Sequence, residues 1–233
     1  MPENLKLLSY NICHGCGLDM VVDISRSAEV INGLRPDFVA LQEVDINVPR
    51  SNSMDEMAEL ARLTGMQAFF GKAIDLDGGE YGVGILSRTP CDIVCHRQLP
   101  GYEMRTLLGV EGVTAAGNPI RFYCTHFPLY PDLRLISAGI LSEELNASKV
   151  PAVVMGDFNS EPEEFSWKLM ASMMEAATGG ERLLTFSSDE PRIAIDHCFF
   201  NRCGAWSDIH ASVVEAPNTS DHSPLLVTTT LNV

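Results

Sequence analysis

The segment that most constrains this fold is Val150 to Pro162, which reads V-P-A-V-V-M-G-D-F-N-S-E-P. Ala152 to Met155 form an apolar run without a polar break, and this pattern predicts a strand that is buried on both faces. Gly156 then allows a close approach of the backbone, and Asp157 and Asn159 follow on the same face of the extended chain. The sequence therefore predicts a polar pair at the end of a buried strand.

A helix is predicted directly after this pair. Ser160 has the position of an N-cap, Pro162 lies in the first turn, and Glu163 closes a capping box. A polar pair held between a strand and a helix is typical of a catalytic site. On these residues alone the alternative that Asp157 only begins a turn is equally acceptable, because Asp often follows a strand.

Polar side chains occur at the ends of other apolar runs along the chain. The full set is Asn11, Glu43, His126, Asp157, Asn159, Asp196, Asp221 and His222. Each one alone could be a turn residue or a core histidine, but Glu43 and His126 are poor turn residues. If these strand ends converge in space, they form a pocket of carboxylate, amide and imidazole groups. Hard oxygen ligands of this kind favour Mg²⁺ or Mn²⁺ over zinc.

The order of elements predicts a mixed α/β (α+β) fold in one domain over residues 1–233. Four helices are expected among about ten strands, a proportion that favours two sheets packed face to face with helices outside. The first predicted helix is capped by Asp23 and runs to about Arg35, and the second covers 54–64 after a capping box of Ser53 and Glu56. The third is predicted to begin at Pro131, and the fourth follows Asn159.

Charge and hydropathy limit the partners that we expect. The formal net charge of −15 would repel a long polyanion, so a small substrate fits better than nucleic acid, although a bound divalent cation changes the local field. No apolar run reaches membrane-spanning length, and the first residues become polar too early for a signal peptide. We therefore expect a soluble, cytoplasmic protein; the sequence does not indicate its oligomeric state.

The seven cysteines are expected to be reduced thiols that serve as small apolar residues. Cys13 and Cys16 form a C-x-x-C pair, which can be a redox centre or half of a zinc site. No second closely spaced pair follows in the sequence, and this disfavours both roles.

Seven short motifs along the chain resemble those of the endonuclease/exonuclease/phosphatase family of metal-dependent phosphohydrolases. They are S-Y-N-I at Ser9–Ile12, L-Q-E-V-D at Leu41–Asp45, G-V-G-I-L-S-R at Gly82–Arg88, T-H-F at Thr125–Phe127, G-D-F-N at Gly156–Asn159, I-D-H at Ile195–His197 and S-D-H-S-P at Ser220–Pro224. The resemblance implies a DNase I-like four-layer α/β/β/α sandwich, with two mixed, mainly antiparallel sheets and the site at one end of them.

The resemblance also implies roles for the polar set. Glu43 would be the principal Mg²⁺ ligand, with Asn11 and Asp221 near the metal. The expected activity is Mg²⁺-dependent hydrolysis of a phosphate mono- or diester of a small or lipid-derived substrate, by in-line attack of water.

Five further positions carry catalytic roles by the same resemblance. Asp157 would orient and deprotonate the attacking water, and Asp196 would orient His222. Asn159, His126 and His222 would hydrogen-bond the phosphoryl oxygens.

Five arginines are candidates for steering the phosphate: Arg50, Arg88, Arg97, Arg105 and Arg134. Arg50 is preferred as a substrate-binding residue because it follows Glu43 closely in the sequence. The other four are expected to pair with surplus acid on the surface.

Three other functions remain as alternatives. A nuclease of the same fold would need a basic groove, which the charge disfavours, and the position of His126, where apurinic endonucleases have Tyr, points away from DNA repair. A non-catalytic scaffold would lack some of the polar set, which is present in full. A thiol-redox protein would use Cys13 and Cys16.

Overall fold

A computed structural model describes residues 2–232 of the chain. Its helices are α1 (Ile24–Leu34), α2 (Glu56–Thr64), α3 (Pro131–Ala147) and α4 (Phe165–Met173). Its strands are β1 (Glu3–Asn11), β2 (Phe38–Ile46), β3 (Gln67–Leu76), β4 (Gly79–Ser87), β5 (Cys91–Leu99), β6 (Arg105–Val113), β7 (Pro119–His126), β8 (Ala152–Asp157), β9 (Glu175–Ala176), β10 (Asp196–Phe200), β11 (Trp206–Val213) and β12 (Leu225–Leu231).

The strands form two six-stranded sheets with related topologies. The order in one sheet is β11-β12-β1-β2-β4-β3, and the order in the other is β5-β6-β7-β8-β10-β9. Each sheet contains one parallel pair near its centre, β1 with β2 and β7 with β8, while its other pairs are antiparallel.

Alternating side chains divide the interior into three apolar layers. Leu7 of β1 and Val153 of β8 face the layer between the two sheets. Leu8 of β1 faces α1 and α2, and Val154 of β8 faces α3 and α4. Because successive residues of a strand point to opposite faces, a strand covered on both sides must be apolar throughout. The predicted four-layer α/β/β/α sandwich is confirmed.

The parallel pairs explain why distant polar residues meet. In a parallel pair both strands end at the same edge of the sheet, so β1 brings Asn11 beside Gln42 of β2, and β7 brings His126 beside Asp157 of β8. Strand β10 runs antiparallel to β8 and therefore begins at this edge, with Asp196 paired to Asp157. The edges of the two sheets meet at Asn11, whose Nδ2 donates to Asp157 Oδ2 at 3.2 Å.

Gly156 provides the close approach that its position in the sequence predicts. A Cβ atom built there would overlap the carbonyl oxygen of Thr125 on the neighbouring strand β7. Glycine at this position therefore allows β7 and β8 to pair directly before His126 and Asp157.

Two predicted helix starts are wrong. Helix α2 begins after Asp55, whose side chain accepts a hydrogen bond from the Ala58 amide at 2.9 Å, and not after Ser53. Helix α4 begins at Phe165, five residues after the predicted N-cap Ser160. The Ser160 hydroxyl pairs with the Ser166 hydroxyl at 2.6 Å and caps no amide. The prediction that Asp23 caps α1 is correct, since its side chain accepts from the Ser25 amide.

Within residues 2–232, no helix has both the length and the apolar character needed to cross a membrane.

Candidate active site

The structure brings the eight predicted polar residues together where the two sheets meet. Asn11, His126 and Asp157 end their strands, Asp196 begins β10, and Glu43 lies within β2. Asn159 follows β8, while Asp221 and His222 precede β12. The Ser220 hydroxyl donates to the carbonyl oxygen of Asn11 at 2.7 Å and so attaches this last segment to the end of β1.

A β-bulge directs Glu43 toward the site. The pairing of β2 with β4 shifts between Leu41 and Val44, and Glu43 has a positive φ of 58°. A bulge inserts one residue into a strand and changes the direction of the side chains around it. Gln42 is fully buried, and Glu43 Oε1 accepts a hydrogen bond from Asn11 Nδ2 at 3.1 Å.

Asp157 lies at the centre of the site and is almost fully buried. Its Oδ2 atom accepts from Asn11 Nδ2 and lies 3.4 Å from His126 Nε2 and 3.7 Å from His222 Nε2. Its Oδ1 atom accepts from the backbone amide of Asn159 at 2.9 Å. Burial raises the pKa of Asp157 to about 7, although the charge of His222 opposes this rise.

His222 is held by a buried carboxylate on the side opposite to Asp157. Its Nδ1 atom lies 2.9 Å from Asp196 Oδ2. Burial disfavours the charged imidazole, but the charge and hydrogen bond of Asp196, with the charges of Asp157 and Asp221, raise the pKa of His222 to about 10. The imidazole is therefore cationic at neutral pH, and both of its nitrogens are donors.

His126 is neutral for the opposite reason. Burial lowers its pKa well below the usual value, and the positive charges of Arg105 and His222 lower it further. Arg105 Nη1 lies 3.3 Å from His126 Nδ1, and a guanidinium group only donates hydrogen bonds. This contact assigns the proton to Nε2, which faces Asp157.

Asn159 is held in position by hydrogen bonds of its side chain and of its backbone. Its Nδ2 atom donates to the Phe127 carbonyl oxygen at 3.0 Å, and Arg134 donates to the carbonyl oxygen of Asn159. Its φ is 48°, in the left-handed region that Asn tolerates better than most residues. Asp157 therefore does begin a turn, as one interpretation of the sequence held, and this turn is part of the site.

The donor set fits a divalent cation. Burial raises the pKa of Glu43, and the nearby charge of Asp221 adds to this rise, while the hydrogen bond from Asn11 opposes it. Carboxylates that are buried close together without equal positive charge are stabilised by a cation. Oxygen atoms of Asp157 and Asp196 and a nitrogen of His222 lie within 4.8 Å of one another, so two further carboxylates add negative charge at the site and the cationic His222 offsets only part of it.

Arg50 lies at the site, but it is already paired. Its Nε and Nη2 atoms donate to the two carboxylate oxygens of buried Asp45 at 2.8 and 2.9 Å. Its guanidinium also lies over the ring of Tyr81, with 5.4 Å to the ring centroid. Arg50, Glu43, Tyr81 and Arg105 help to line a cleft of about 250 Å³.

Arg105 is closer to the site than the sequence analysis predicted. It is buried and begins β6, where its neighbour Thr106 pairs with His126. Its Nη1 atom contacts His126, the Tyr81 hydroxyl at 3.2 Å and Glu103 at 2.8 Å. Arg105 does pair with an acid, Glu103, as expected, but the expectation that it lies on the surface is wrong, because the residue is buried beside His126. A basic residue at the start of an apolar strand was a usable signal.

A comparison with protein families identifies the chain. The family model for the endonuclease/exonuclease/phosphatase family matches residues 8–222. The chain belongs to this family. Its members are phosphoesterase hydrolases that generally depend on divalent metal ions, and the chain is accordingly a phosphoesterase.

Solved structures of other family members share the fold over nearly the whole chain. An endonuclease/exonuclease/phosphatase from Beutenbergia cavernae is 22% identical, with a TM-score of 0.79 and coverage of 98% of this chain and 72% of that one. A mannosyl-6-phosphatase from Bacteroides thetaiotaomicron is 19% identical, with a TM-score of 0.76 and coverage of 97% and 99%. The human Nocturnin catalytic domain with a bound sulfate anion is 19% identical, with a TM-score of 0.74 and coverage of 97% and 94%. A search of curated proteins finds no significant match.

Proposed function

We propose that this phosphoesterase hydrolyses a small or lipid-derived phosphate ester, with Mg²⁺ or Mn²⁺ as cofactor and Asp157 as the base that activates water. The observation that carries the proposal is the set of nitrogen atoms around the Asp157 carboxylate. One buried carboxylate lies within 3.7 Å of side-chain nitrogens of Asn11, His126 and His222. Three donors around one base can orient a phosphoryl group and a water molecule together.

Each side chain has a defined task in this mechanism. Asp157 orients the attacking water and accepts its proton. His222, cationic through Asp196, donates from Nε2 to a phosphoryl oxygen, and neutral His126 donates from its own Nε2. Asn159 supplies a further donor at the end of β8. These fixed donors oppose the negative charge that builds on the phosphoryl oxygens during the reaction.

Glu43, Asn11 and Asp221 are proposed to hold the cation. A divalent cation held by these residues would supply positive charge that favours the transition state of phosphate-ester hydrolysis. The carboxylate and amide oxygens of these residues match the hard ligands that Mg²⁺ and Mn²⁺ prefer.

A small substrate agrees with the shape and charge of the protein. The cleft of about 250 Å³ beside Glu43 is smaller than the roughly 300 to 1,000 Å³ of typical small-molecule sites, which suits a compact substrate. The net charge of −15 opposes the approach of long nucleic acid. We therefore favour a compact phosphate ester over DNA as the substrate.

The test is a substrate panel with matched variants. The purified protein is incubated with Mg²⁺ or Mn²⁺ and with p-nitrophenyl phosphate, bis-p-nitrophenyl phosphate or plasmid DNA. We expect hydrolysis of a small ester, and a loss of about 10² to 10⁴-fold in turnover for Asp157→Asn and His222→Ala. Asp92→Asn, at an exposed position of β5, is the matched control and should retain full turnover. Unchanged hydrolysis by both site variants, or cleavage of DNA alone, would contradict the proposal.

Arg50 is proposed to bind the phosphate of the substrate, together with Arg105. Arg50→Ala should raise the KM for bis-p-nitrophenyl phosphate with little change in kcat, because a guanidinium at the rim contributes to binding. Arg105→Ala should lower kcat as well, since Arg105 also contacts His126. If Arg50→Ala leaves KM unchanged, Arg50 only anchors Asp45.

A further inference from the structure

Two potential metal ligands, Cys13 and His14, lie beside Glu43 and have no role in the proposed hydrolysis. The Cys13 Sγ atom, a ring nitrogen of His14 and a carboxylate oxygen of Glu43 all lie within 4.8 Å of one another. Cys13 and His14 belong to the short 3₁₀ turn Cys13–Gly15, which follows β1 almost directly. The turn therefore places a thiol and an imidazole against the bulge of β2.

The backbone holds these three residues in an unusual conformation. Cys13, His14 and Glu43 have φ values of 44°, 45° and 58°, in the left-handed region that residues with a Cβ rarely adopt. The turn is kept in place because the Cys13 amide donates to Asn11 Oδ1 at 3.1 Å and the Asp23 amide donates to the Gly15 carbonyl oxygen at 2.8 Å. Strain concentrated in one cluster and maintained by such contacts is typical of a functional site.

One polar atom of the cluster lacks a partner that a cation would supply. His14 Nδ1 is buried and has no hydrogen-bond partner among the described residues. The Cys13 thiol is partly buried, and among the charged side chains that act on it Asp221 and Glu43 are negative while Arg50 is positive. A buried nitrogen without a partner and an excess of negative charge are both relieved by a bound cation.

We propose that Cys13, His14 and Glu43 form a binding site for a borderline-soft divalent cation such as Zn²⁺ or Co²⁺. The site shares Glu43 with the Mg²⁺ or Mn²⁺ site of the proposed function and rests on that function only through this residue. One thiolate, one imidazole and one carboxylate make a three-ligand set that these metals accept and that Mg²⁺, which requires oxygen ligands, does not.

Formation of the site requires a fixed spacing of the ligands and the loss of one proton. Zinc lies about 2.0 to 2.3 Å from such ligands, so the three atoms, which lie within 4.8 Å of one another in the structure, must lie less than about 4.6 Å apart in the bound state. The Cys13 Sγ–H proton passes to solvent when the thiolate binds the metal, and the fourth position is left for water. The charge of the cation compensates the thiolate, which is otherwise disfavoured beside Asp221 and Glu43.

The geometry differs from the zinc half-site that a C-x-x-C pair would form. Cys16 is not a member of the cluster, and its thiol donates to the Gly17 carbonyl oxygen at 3.6 Å. The inferred ligands are the adjacent Cys13 and His14 together with a carboxylate from another strand. Cys16 therefore provides a control on the same turn.

The test is absorption spectroscopy of the Co²⁺-loaded protein in a non-thiol reductant. We expect a near-ultraviolet thiolate-to-cobalt charge-transfer band in the wild type, in Cys16→Ser and in Cys203→Ser, whose thiol is exposed. Cys13→Ser should lose the band, and His14→Gln should shift the visible cobalt bands. In competition with a chromophoric chelator, Cys13→Ser should bind Zn²⁺ at least about tenfold more weakly, because it lacks a direct ligand.

A second measurement on wild-type protein keeps the proposal testable if Cys13→Ser does not fold. Zn²⁺ should protect Cys13 from alkylation, as measured by peptide mass spectrometry, while Mg²⁺ should not, with Cys203 as the internal reference. No charge-transfer band in the wild type, the same band in folded Cys13→Ser, or equal alkylation of Cys13 with Zn²⁺ and Mg²⁺ would overturn the inference. If the cation site fails these tests but the protein hydrolyses a phosphate ester with Mg²⁺, the proposed function still stands. If the charge-transfer band depends on Cys13 but no ester is hydrolysed, the result supports the cation site and not the proposed function.

Discussion

Three ionisable side chains at the site have different protonation states at neutral pH because each has different neighbours. Burial raises the pKa of Asp157 to about 7, Asp196 keeps His222 protonated up to a pKa of about 10, and burial beside Arg105 keeps His126 neutral. Interacting groups titrate together, so a pH profile reports the group as a whole. The arrangement combines one base, one cationic donor and one neutral donor within a single pocket.

The first prediction concerns the pH dependence of kcat/KM. Asp157 accepts a proton only when it is deprotonated, so activity should rise with pH through about 7, or through a lower pH when a bound cation lowers the pKa of Asp157. Activity should fall as His222 loses its proton near a pKa of about 10. Asp196→Asn removes the negative charge that raises the pKa of His222, while the Asn carbonyl oxygen can still accept a hydrogen bond, so the alkaline limb should move to lower pH.

The matched control for this profile is Asp92→Asn, which should leave both limbs in place. An alkaline limb at the same pH in Asp196→Asn and in the wild type would show that His222 is not the group responsible. The measurement is kcat/KM across the pH range with a small phosphodiester and a saturating concentration of Mg²⁺.

At the scale of elements, the parallel pair β7 and β8 depends on one glycine. Gly156 lies against the carbonyl oxygen of Thr125, and a methyl group at this position would push the two strands apart. Movement of β8 would displace Asp157 relative to His126, with which it is paired. The packing of this strand pair and the geometry of the site are therefore linked.

We predict that Gly156→Ala destabilises the fold by about 1 to 3 kcal/mol, because the added methyl group overpacks a rigid interior. The control is Gly139→Ala in α3, where a Cβ meets no atom within 4 Å. This control should increase stability by about 0.5 to 1 kcal/mol, since Ala favours a helix more than Gly. Urea unfolding at constant m-value measures the free energy of unfolding of both variants. If Gly156→Ala leaves this free energy unchanged, the close approach of β7 and β8 at Gly156 is contradicted.

A further prediction separates the observed cap of α2 from the one expected from the sequence. Asp55→Ala should cost about 1 kcal/mol, because its side chain accepts from the Ala58 amide. Ser53→Ala should change the free energy of unfolding by a few tenths of a kcal/mol or less. Equal losses in the two variants, measured by thermal and urea unfolding, would contradict this assignment.

At the scale of the whole molecule, the surplus of acid has a structural consequence. A net charge of −15 implies self-repulsion in the compact state, and several of the carboxylates are concentrated where the two sheets meet. A divalent cation bound there compensates this local charge in the folded protein. Binding to the folded state alone stabilises it by mass action.

We therefore predict that Mg²⁺ at about 100 times its Kd stabilises the protein by roughly 2.7 kcal/mol, and that a chelator reverses this effect. Differential scanning calorimetry at constant ionic strength measures the shift in Tm. Glu43→Gln should lose most of the shift, whereas Glu143→Gln, at an exposed position of α3, should retain it. An equal shift in the two variants would mean that the cation binds elsewhere.

Much of the fold was predictable from local pattern. The strand of Ala152 to Met155 has an apolar side chain at each position because it is covered on both faces, and this requirement is visible in the sequence. Residues such as Asn11, His126 and Asp157 stood out because polar groups directly after buried strands are conspicuous. The caps were less predictable, because Ser53 and Asp55 are both acceptable N-caps and their sequence positions differ by only two.

Other features of the site depend on contacts between distant parts of the chain. Arg105 reaches His126 because β6 pairs with β7, whereas Arg50, which is closer to Glu43 in sequence, is engaged by Asp45. The bulge at Glu43 is defined only by the pairing of β2 with β4. The sequence by itself determined which side chains end the strands, since burial selects residue types locally. Only the tertiary structure decided which of them meet and which carry a proton, because strand pairing sets distance and distance sets electrostatic interaction.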